Sequence, residues 1–549
     1  MKILFIIPPY RTTAPLYKPL FPMPLAAVSL GTILKQAGHK VTIKDFVRSG
    51  EASACTRPAS FEGKHAPPYR HYGTPMPDVL HWLNKHVEQY DVVCLCSCQC
   101  NIFETVYAIA SRIRVLGIPL VIGGPFATTA PDEVIRNVKP NVLVRGEGEG
   151  AILEAVWLAA NRHLSTRGLV LTGSKMHLDD LPLPDWTLAP PSKYPKCDGR
   201  IRCVLAVTRG CPWACTFCSV HTIMGRRWDR MPLPKVRDYL VLLFKQGVRY
   251  FTFVDDNLFF KTSYANELLD LIEKLRRKVK GFSSCRFYIE EGIEIRTAAV
   301  PGLLKRAKSL GFVRMTLGLE TMNAARLKAI QKPFDVKVLK QAVQQCHLAG
   351  VTPRAFYIIG FPGDTLASVC RDLVSFSRTG FLVRENNLHL LPGTEMHQLY
   401  EDRGWVADGY DWRMTFFTPT STGLTYAEIK RLKTVLRTIG YALDQWGVCL
   451  GVDSDAVVGS KLAKKKCTLQ IGRGGKYRIR GKLSWRPSAA SHVCEWLVLR
   501  AGHPGAEYGN TKTEVWARPL LKPKNPTQHA LAMAIQGKKM KEKVRPRFF

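Results

Sequence analysis

Three cysteines, Cys211, Cys215 and Cys218, stand in the run Cys-Pro-Trp-Ala-Cys-Thr-Phe-Cys, a C-x3-C-x2-C spacing. Three thiolates can hold three irons of a [4Fe–4S] cube and leave the fourth iron open to a small chelating molecule. The run follows the apolar stretch Val204-Leu205-Ala206-Val207 and an Arg209-Gly210 turn, so it reads as a loop at a strand end. A zinc knuckle or three unrelated core cysteines are the plainer alternatives. Zinc usually takes a fourth protein ligand, and none sits at a suitable local spacing. A second cysteine run, Cys94-Leu95-Cys96-Ser97-Cys98-Gln99-Cys100, tempts the same reading. On a strand its alternate side chains lie roughly 6.5–7 Å apart, too far for one ion to gather three. Small buried thiols on a packed strand explain it better.

The elements that must position the loop form a regular pattern. From Met1 to about Ala160, short apolar runs alternate with helical stretches. Strands are expected at Lys2–Ile7, Lys40–Lys44, Val92–Cys96, Pro119–Ile122 and Val142–Val144, with helices near Pro24–Ala37 and Phe103–Leu116. That alternation predicts a parallel sheet covered on both faces, with ligands in the loops at the carboxyl ends of its strands. Those loops hold Pro8-Pro9-Tyr10, Gly123-Gly124-Pro125 and Arg145-Gly146-Glu147-Gly148-Glu149. From about Cys197 to Lys430 strand and helix alternate again, as in a partial (β/α) barrel with function at the carboxyl ends of its strands. Asp255-Asp256-Asn257, Glu290-Glu291, Gly318-Leu319-Glu320 and Gly360-Phe361-Pro362-Gly363-Asp364 fall there; a strand is expected over Val313–Leu319, the last strand near Asn387–Leu391 and a helix near Tyr426–Gln445. Turn geometry would equally account for the Gly and Pro residues, and helix capping for Asp255 and Asp256.

The Cys triad, with Phe217 before its last Cys, resembles the radical S-adenosylmethionine (SAM) superfamily. The Pro-Pro after the first strand, the Gly-Gly-Pro turn and the closing Gly-Glu-Gly-Glu resemble the domain that precedes the barrel in cobalamin-dependent members. The Leu-Pro-x-Pro-Asp-Trp phrase and Gly225-Arg226-Arg227-Trp228 are familiar from the same family, although the motif at 225–228 has no role legible in sequence. The resemblance implies an α/β chain in four parts. Residues 1–160 form a Rossmann-like (flavodoxin-like) cobalamin-binding domain and 161–196 an extended Pro-rich linker. Residues 197–430 form the radical SAM core, and 431–549 a basic region of no recognised fold.

It further implies that Cys211, Cys215 and Cys218 hold the cluster and that Phe217, Asp255, Glu320, Gly360 and Pro362 contact SAM. Pro8, Pro9, Tyr10, Gln99, Gly123, Gly124, Pro125, Gly146, Glu147 and Glu149 are the implied cobalamin contacts. Many other cobalamin domains carry an axial His in an Asp-x-His-x-x-Gly loop. The stretch after Asp45 has none, which implies cobalamin bound without a His ligand, and a residue near Gln99 facing cobalt. In such enzymes one SAM methylates the cobalamin, and a second gives a deoxyadenosyl radical that abstracts hydrogen from an unactivated carbon. That carbon then takes the methyl group. The substrate would be a small molecule or peptide, and the electron donor a flavodoxin or ferredoxin. Other members use cobalamin for ring closure or oxidation without methyl transfer. The tRNA methylthiotransferases share the barrel, but their second cluster needs three widely spaced N-terminal cysteines, which the Cys94–Cys100 run does not supply.

Bulk properties add the remaining expectations. No apolar stretch is long enough to span a bilayer, and Met1–Pro9 is too short for a signal peptide. A cytoplasmic chain is expected, its sixteen cysteines reduced or metal-bound. The formal net charge is +35, and from Gly451 to Phe549 there are 21 Lys and Arg against 6 Asp and Glu. Interleaved with Trp485, Trp496 and Trp516, that tail is compatible with nucleic acid, or with a merely solvated extension.

Overall fold

The computed structural model describes residues 1–12, 22–47, 52–55, 69–96, 99, 102–161, 168–332, 335–351, 353–369, 372–373, 382–405, 424, 467–472 and 476–481. The chain divides into two compact units. The first comprises Met1–Leu258, Asp270–Glu291 and His389–Phe417. The second comprises Phe259–Leu269, Gly292–Leu388 and Thr418–Phe549.

The first unit opens with β1 (Lys2–Ile7), whose Ile3, Leu4, Phe5 and Ile6 are all fully buried. An unbroken apolar run of this kind belongs to a strand covered on both faces. A small antiparallel sheet follows from β2 (Tyr10–Thr12), β4 (Ala52–Cys55) and β5 (Tyr69–Tyr72). Around β1 stand β3 (Lys40–Asp45), β6 (Val92–Leu95), β7 (Leu120–Gly123), β8 (Val142–Gly146) and β9 (Leu169–Gly173). All six pair in parallel, in the order β3-β1-β6-β7-β8-β9. The chain leaves β1 toward β3 and returns on its other side at β6. That reversal is the topological switch point where such sheets open a crevice.

Alternate residues feed the two faces. Leu4, Ile6, Val93 and Leu95 pack with α2 (Met76–His86), α3 (Phe103–Val115), α4 (Pro125–Thr129) and α5 (Pro131–Val138). Ile3, Phe5, Val92 and Cys94 pack with α1 (Leu25–Gln36) and α6 (Ile152–Asn161). Cys94 on β6 and Cys96 just past its end are buried thiols, while Cys98 and Cys100 lie outside the described residues. Burial of Cys94, with Cys96 beside it, pushes its thiol far up.

The Pro-rich stretch is extended but anchored. Trp186 is 1% exposed and donates its ring N–H to Tyr239 Oη at 3.0 Å. Lys235 Nζ donates to the carbonyls of Leu178, Asp179 and Leu181. Asp185 takes Lys35 Nζ at 2.6 Å and gives its backbone N–H to Thr32.

Three parallel strands follow in the same unit: β10 (Arg202–Leu205), β13 (Tyr250–Phe253) and β14 (Arg286–Ile289). Between β10 and β13 come the two-residue ribbon of β11 (Thr208–Arg209) and β12 (Asp229–Arg230), helix α7 (Val220–Met224) and helix α8 (Leu233–Lys245).

The second unit holds another parallel sheet, β15 (Ile293–Glu294), β17 (Thr316–Glu320), β18 (Arg354–Ile359) and β19 (Leu382–Asn387), in that order. Two expectations are corrected here. The strand foreseen over Val313–Leu319 is two, β16 (Phe312–Arg314) and β17, separated at Met315. The last strand ends at Asn387 rather than beginning there. Leu388 and Leu390 are buried beyond it, on the approach to the turn at Gly393. Their apolar run drew the expected strand too far along the chain. In the basic region the structure describes a hairpin, β20 (Cys467–Gly472) with β21 (Lys476–Gly481). The helix expected near Tyr426–Gln445 and the three tail tryptophans lie outside the described residues.

Candidate active site

The cysteine loop leaves β10 and returns to α8, and its stem is the β11–β12 ribbon. Thr208 pairs with Arg230 and Arg209 with Asp229. Two carboxylates after β13 hold one side of this stem. Asp255 Oδ1 accepts from Val207 N at 2.8 Å, Thr208 N at 2.5 Å and Thr208 Oγ1 at 2.8 Å. Asp256 Oδ2 accepts from Gly210 N at 2.8 Å. Burial pushes Asp255 up to about 7 against those hydrogen bonds, and Asp256 also upward against Arg209. Gly210 sits at φ +81°, and a Cβ there would lie 2.5 Å from the Arg227 carbonyl oxygen, so only glycine closes the stem.

The other side of the stem is held by arginines. Arg209 Nη1 meets Glu147 Oε2 at 2.8 Å, and Arg209 Nη2 meets Glu149 Oε1 at 2.7 Å. Arg227 Nη2 takes the remaining oxygen of Glu147. The Glu147 side chain is 2% exposed. A buried carboxylate with two guanidinium partners is the arrangement in which a buried charge is tolerated. This gives Arg227 of the Gly225–Trp228 motif a role, and Trp228 donates its ring N–H to the Asn257 carbonyl at 2.9 Å.

Within the loop the three thiols are half-buried, as is Phe217. Cys218 N donates to the Cys215 carbonyl at 3.0 Å, and Asn257 Nδ2 points a donor at Cys211 Sγ from 3.6 Å. Burial pushes the Cys218 thiol up to about 12, with Cys215, Cys211 and Asp256 adding to the shift. Thiols bind metal as thiolates, so a cluster bound here would hold Cys218 deprotonated. Among the described residues no three His, Cys, Asp or Glu converge on a single ion, and His221 in α7 joins no such group. Three thiols on one loop are the donor set that holds three irons of a cube and leaves the fourth open.

Beside the stem lies a cavity of about 670 Å³ at the carboxyl ends of the first sheet. Its size is that of a small-molecule or cofactor pocket. Tyr10, Gln99, Gly123, Gly124 and Pro125 line it, as do Gly146, Glu147 and Glu149. Pro8 and Pro9 do not reach its wall. Both are buried where β1 ends, and the Pro9 carbonyl accepts from Thr105 Oγ1. Three further walls were not anticipated from the sequence: the α1 face of Leu30 and Ile33, the buried Arg202, and Arg209. An acidic pair in Gly-Glu-Gly-Glu calls for cations, and that was the available signal for Arg209. Asp256 lines the cavity, whereas Asp255 grips the stem behind it.

In the second unit Glu320 ends β17 at φ +71°, an uncommon conformation for a non-glycine residue, where the register with β18 shifts. Lys332 Nζ meets its Oε1 at 2.8 Å. The turn at Gly360 and Pro362 is fastened by the buried Asp364, whose Oδ2 accepts from Gly360 N and Phe361 N, both at 2.9 Å. Arg326 pairs with Asp364 and stands 3.7 Å from Asp372.

The Radical SAM superfamily model matches residues 205–373, from the end of β10 through β18. Residues 205–373 are thus a radical SAM domain. The likeness to known proteins extends beyond that domain. The chain is 28% identical over 348 residues to the bacteriochlorophyllide d C-12(1)-methyltransferase of Chlorobaculum tepidum, covering 61% of this chain and 71% of that one. It is 24% identical over 377 residues to the anaerobic magnesium-protoporphyrin IX monomethyl ester cyclase of Synechocystis sp., covering 66% and 69%. Its fold is similar to that of the radical SAM methyltransferase TsrM from Kitasatospora setae, solved with cobalamin and a [4Fe–4S] cluster bound. The TM-score is 0.56 at 17% identity, over 74% of this chain and 78% of that one. No helix among the described residues is long and apolar enough to cross a membrane.

Proposed function

We propose that this chain is a cobalamin-dependent radical SAM methylase, moving a methyl group from SAM to an unactivated carbon of a small molecule or peptide. One observation carries the reading. A large cavity at the switch point of a doubly covered parallel sheet shares its wall with the stem of a three-cysteine loop, through Glu147, Glu149 and Arg209.

When bound, the cluster would supply the electron that cleaves SAM, and cobalamin would carry the methyl group. Cys211, Cys215 and Cys218 hold the cluster in this reading, and Asn257 offers a hydrogen bond to the first sulfur. Asp255 and Asp256 keep the loop stem closed. Phe217, Glu320, Gly360 and Pro362 are the proposed contacts to SAM. Tyr10, Gln99, Gly123, Gly124, Pro125 and Gly146 bound the corrin, with Pro8 and Pro9 shaping the turn behind Tyr10. The apolar wall of Phe5, Leu30, Val121 and Val144 excludes water from it. Residues 1–160 would thus serve cobalamin, 161–196 strap the parts together, and 197–430 serve SAM. The basic region at 431–549 keeps its proposed character as a separable module in a cytoplasmic protein, with a flavodoxin or ferredoxin as electron donor. Nucleic acid is an expectation of the tail's charge alone.

The test is anaerobic reconstitution, followed by absorbance and EPR spectra and by mass spectrometry of bound cofactors. Cobalamin, iron and sulfide are expected together, and labelled SAM should deliver its methyl group to the product. The similarity to a cyclase favours ring closure as the second reading. It predicts cofactor uptake without a product heavier by one methylene. A protein that takes up iron but no cobalamin would falsify both.

A further inference from the structure

Glu147 belongs to two structures at once. Its loop walls the cavity, and its carboxylate gives one oxygen to each arginine of the cysteine-loop stem, Oε2 to Arg209 and Oε1 to Arg227. The side chain is almost wholly buried, so water cannot replace either partner. Its backbone is fixed as well. A Cβ on Gly173 would lie 1.8 Å from the Glu147 carbonyl oxygen, so β9 presses directly against this loop. Glu149 pairs with Arg209, and Asp255 grips the stem at Val207 and Thr208.

An occupant that orders the Gly146–Glu149 loop therefore orders both arginines and the stem they close. A cluster that orders the loop tip likewise orders Glu147. We propose that Glu147 is a positioning residue that links the two sites, so that filling the cavity raises the affinity of the cysteine loop for its cluster, and the reverse. The inference rests on the reading of the cavity as the cobalamin site and of the loop as the cluster site. Linkage requires the same factor in both directions, and couplings of this kind typically run to about 5–150-fold.

The test uses the full-length protein, with and without a reconstituted cluster, titrated with hydroxocobalamin. In reverse, the rate at which a ferrous-iron chelator strips the cluster is measured with and without cobalamin. The cluster-loaded wild type is expected to bind cobalamin at least about 5-fold more tightly, and cobalamin should slow stripping. Glu147→Gln keeps the shape and removes the charge that both arginines share. Whatever it costs the loading of either group alone, the affinity ratio should fall to within about twofold. Arg227→Lys attacks the link from the loop side and leaves the cavity wall intact, so it should give the same loss if the Glu147 variant folds poorly. A wild-type ratio near one, or variants that keep the wild-type ratio, overturns the linkage and leaves the functional reading standing. Failure of the wild type to take up cobalamin in either state overturns the functional reading, and the linkage with it.

Discussion

Replacing Gly210 by alanine tests the geometry of the cysteine loop most directly. Two costs combine at this position. The backbone is left-handed at φ +81°, which costs an alanine about 1–2 kcal/mol. The new Cβ would also stand 2.5 Å from the Arg227 carbonyl oxygen and 3.4 Å from its carbon. Those are backbone atoms two residues before the opposing stem strand β12, and they cannot swing aside as a flexible side chain would. Overpacking of this kind adds about 1–3 kcal/mol. The total, about 2–5 kcal/mol, lowers the closed-stem population by about 30-fold to a few thousand-fold. Cys211 follows immediately, so the loss should appear as iron and sulfide missing after anaerobic reconstitution and as faster stripping by a chelator. Gly117→Ala is the control. Gly117 is also left-handed, at φ +71°, but nothing lies within 4 Å of its Cβ position, so it incurs the strain without the collision. If Gly210→Ala holds its cluster as firmly as the Gly117 variant, the stem is not what closes the loop.

Three further outcomes are expected. Single replacements of Cys211, Cys215 or Cys218 by alanine should each abolish the cluster and SAM cleavage, and a triple variant that keeps iron and sulfide would refute the assignment. Asp255 is raised to about 7 from a usual 3.8, so between about pH 4 and 7 the folded state holds a proton that the unfolded chain has lost. Stability therefore falls as pH rises through that window, by up to about 4 kcal/mol in total. Asp255→Asn keeps the acceptor oxygen and should flatten the fall when urea midpoints are compared at pH 5 and pH 7.5; an unchanged slope counts against it. The EPR spectrum of the cob(II)alamin form should lack nitrogen splitting from a protein histidine, and its appearance would place a His where the sequence after Asp45 supplies none.

Much of the fold was legible because its signals are local. The continuous apolar run at Ile3–Ile6 specifies a strand buried on both sides, and the alternation up to β8 specifies the sheet. The cysteine spacing and the Gly-Glu-Gly-Glu run are likewise local, so their places at strand ends could be read directly. The partners of those motifs could not. Arg209 and Glu147 are 62 residues apart, and only folding shows that one neutralises the other. The role of Asp255 was hidden for the same reason, since its three donors lie 47 and 48 residues upstream. The α1 wall of the cavity looks in sequence like any amphipathic helix packed on a sheet. At β19 the polar Arg384-Glu385-Asn386 disguised a strand, while Leu388 and Leu390 imitated one beyond its end.

The strap from Leu178 to Tyr194 has a consequence for how the first unit breathes. Amides outside helices and strands ordinarily exchange their hydrogens with solvent quickly, because nothing cooperative protects them. Here the Asp185 amide is bonded to Thr32 of α1, the Leu178 amide to Asp229 of the ribbon, and three strap carbonyls to the single ammonium of Lys235 on α8. Trp186 locks the middle against Tyr239 of the same helix. Release of the strap thus requires α1, α8 and the ribbon to let go together. Slow deuterium uptake at Leu178 and Asp185, matching that of the two helices, would mark these irregular residues as part of one cooperative opening unit rather than a hinge.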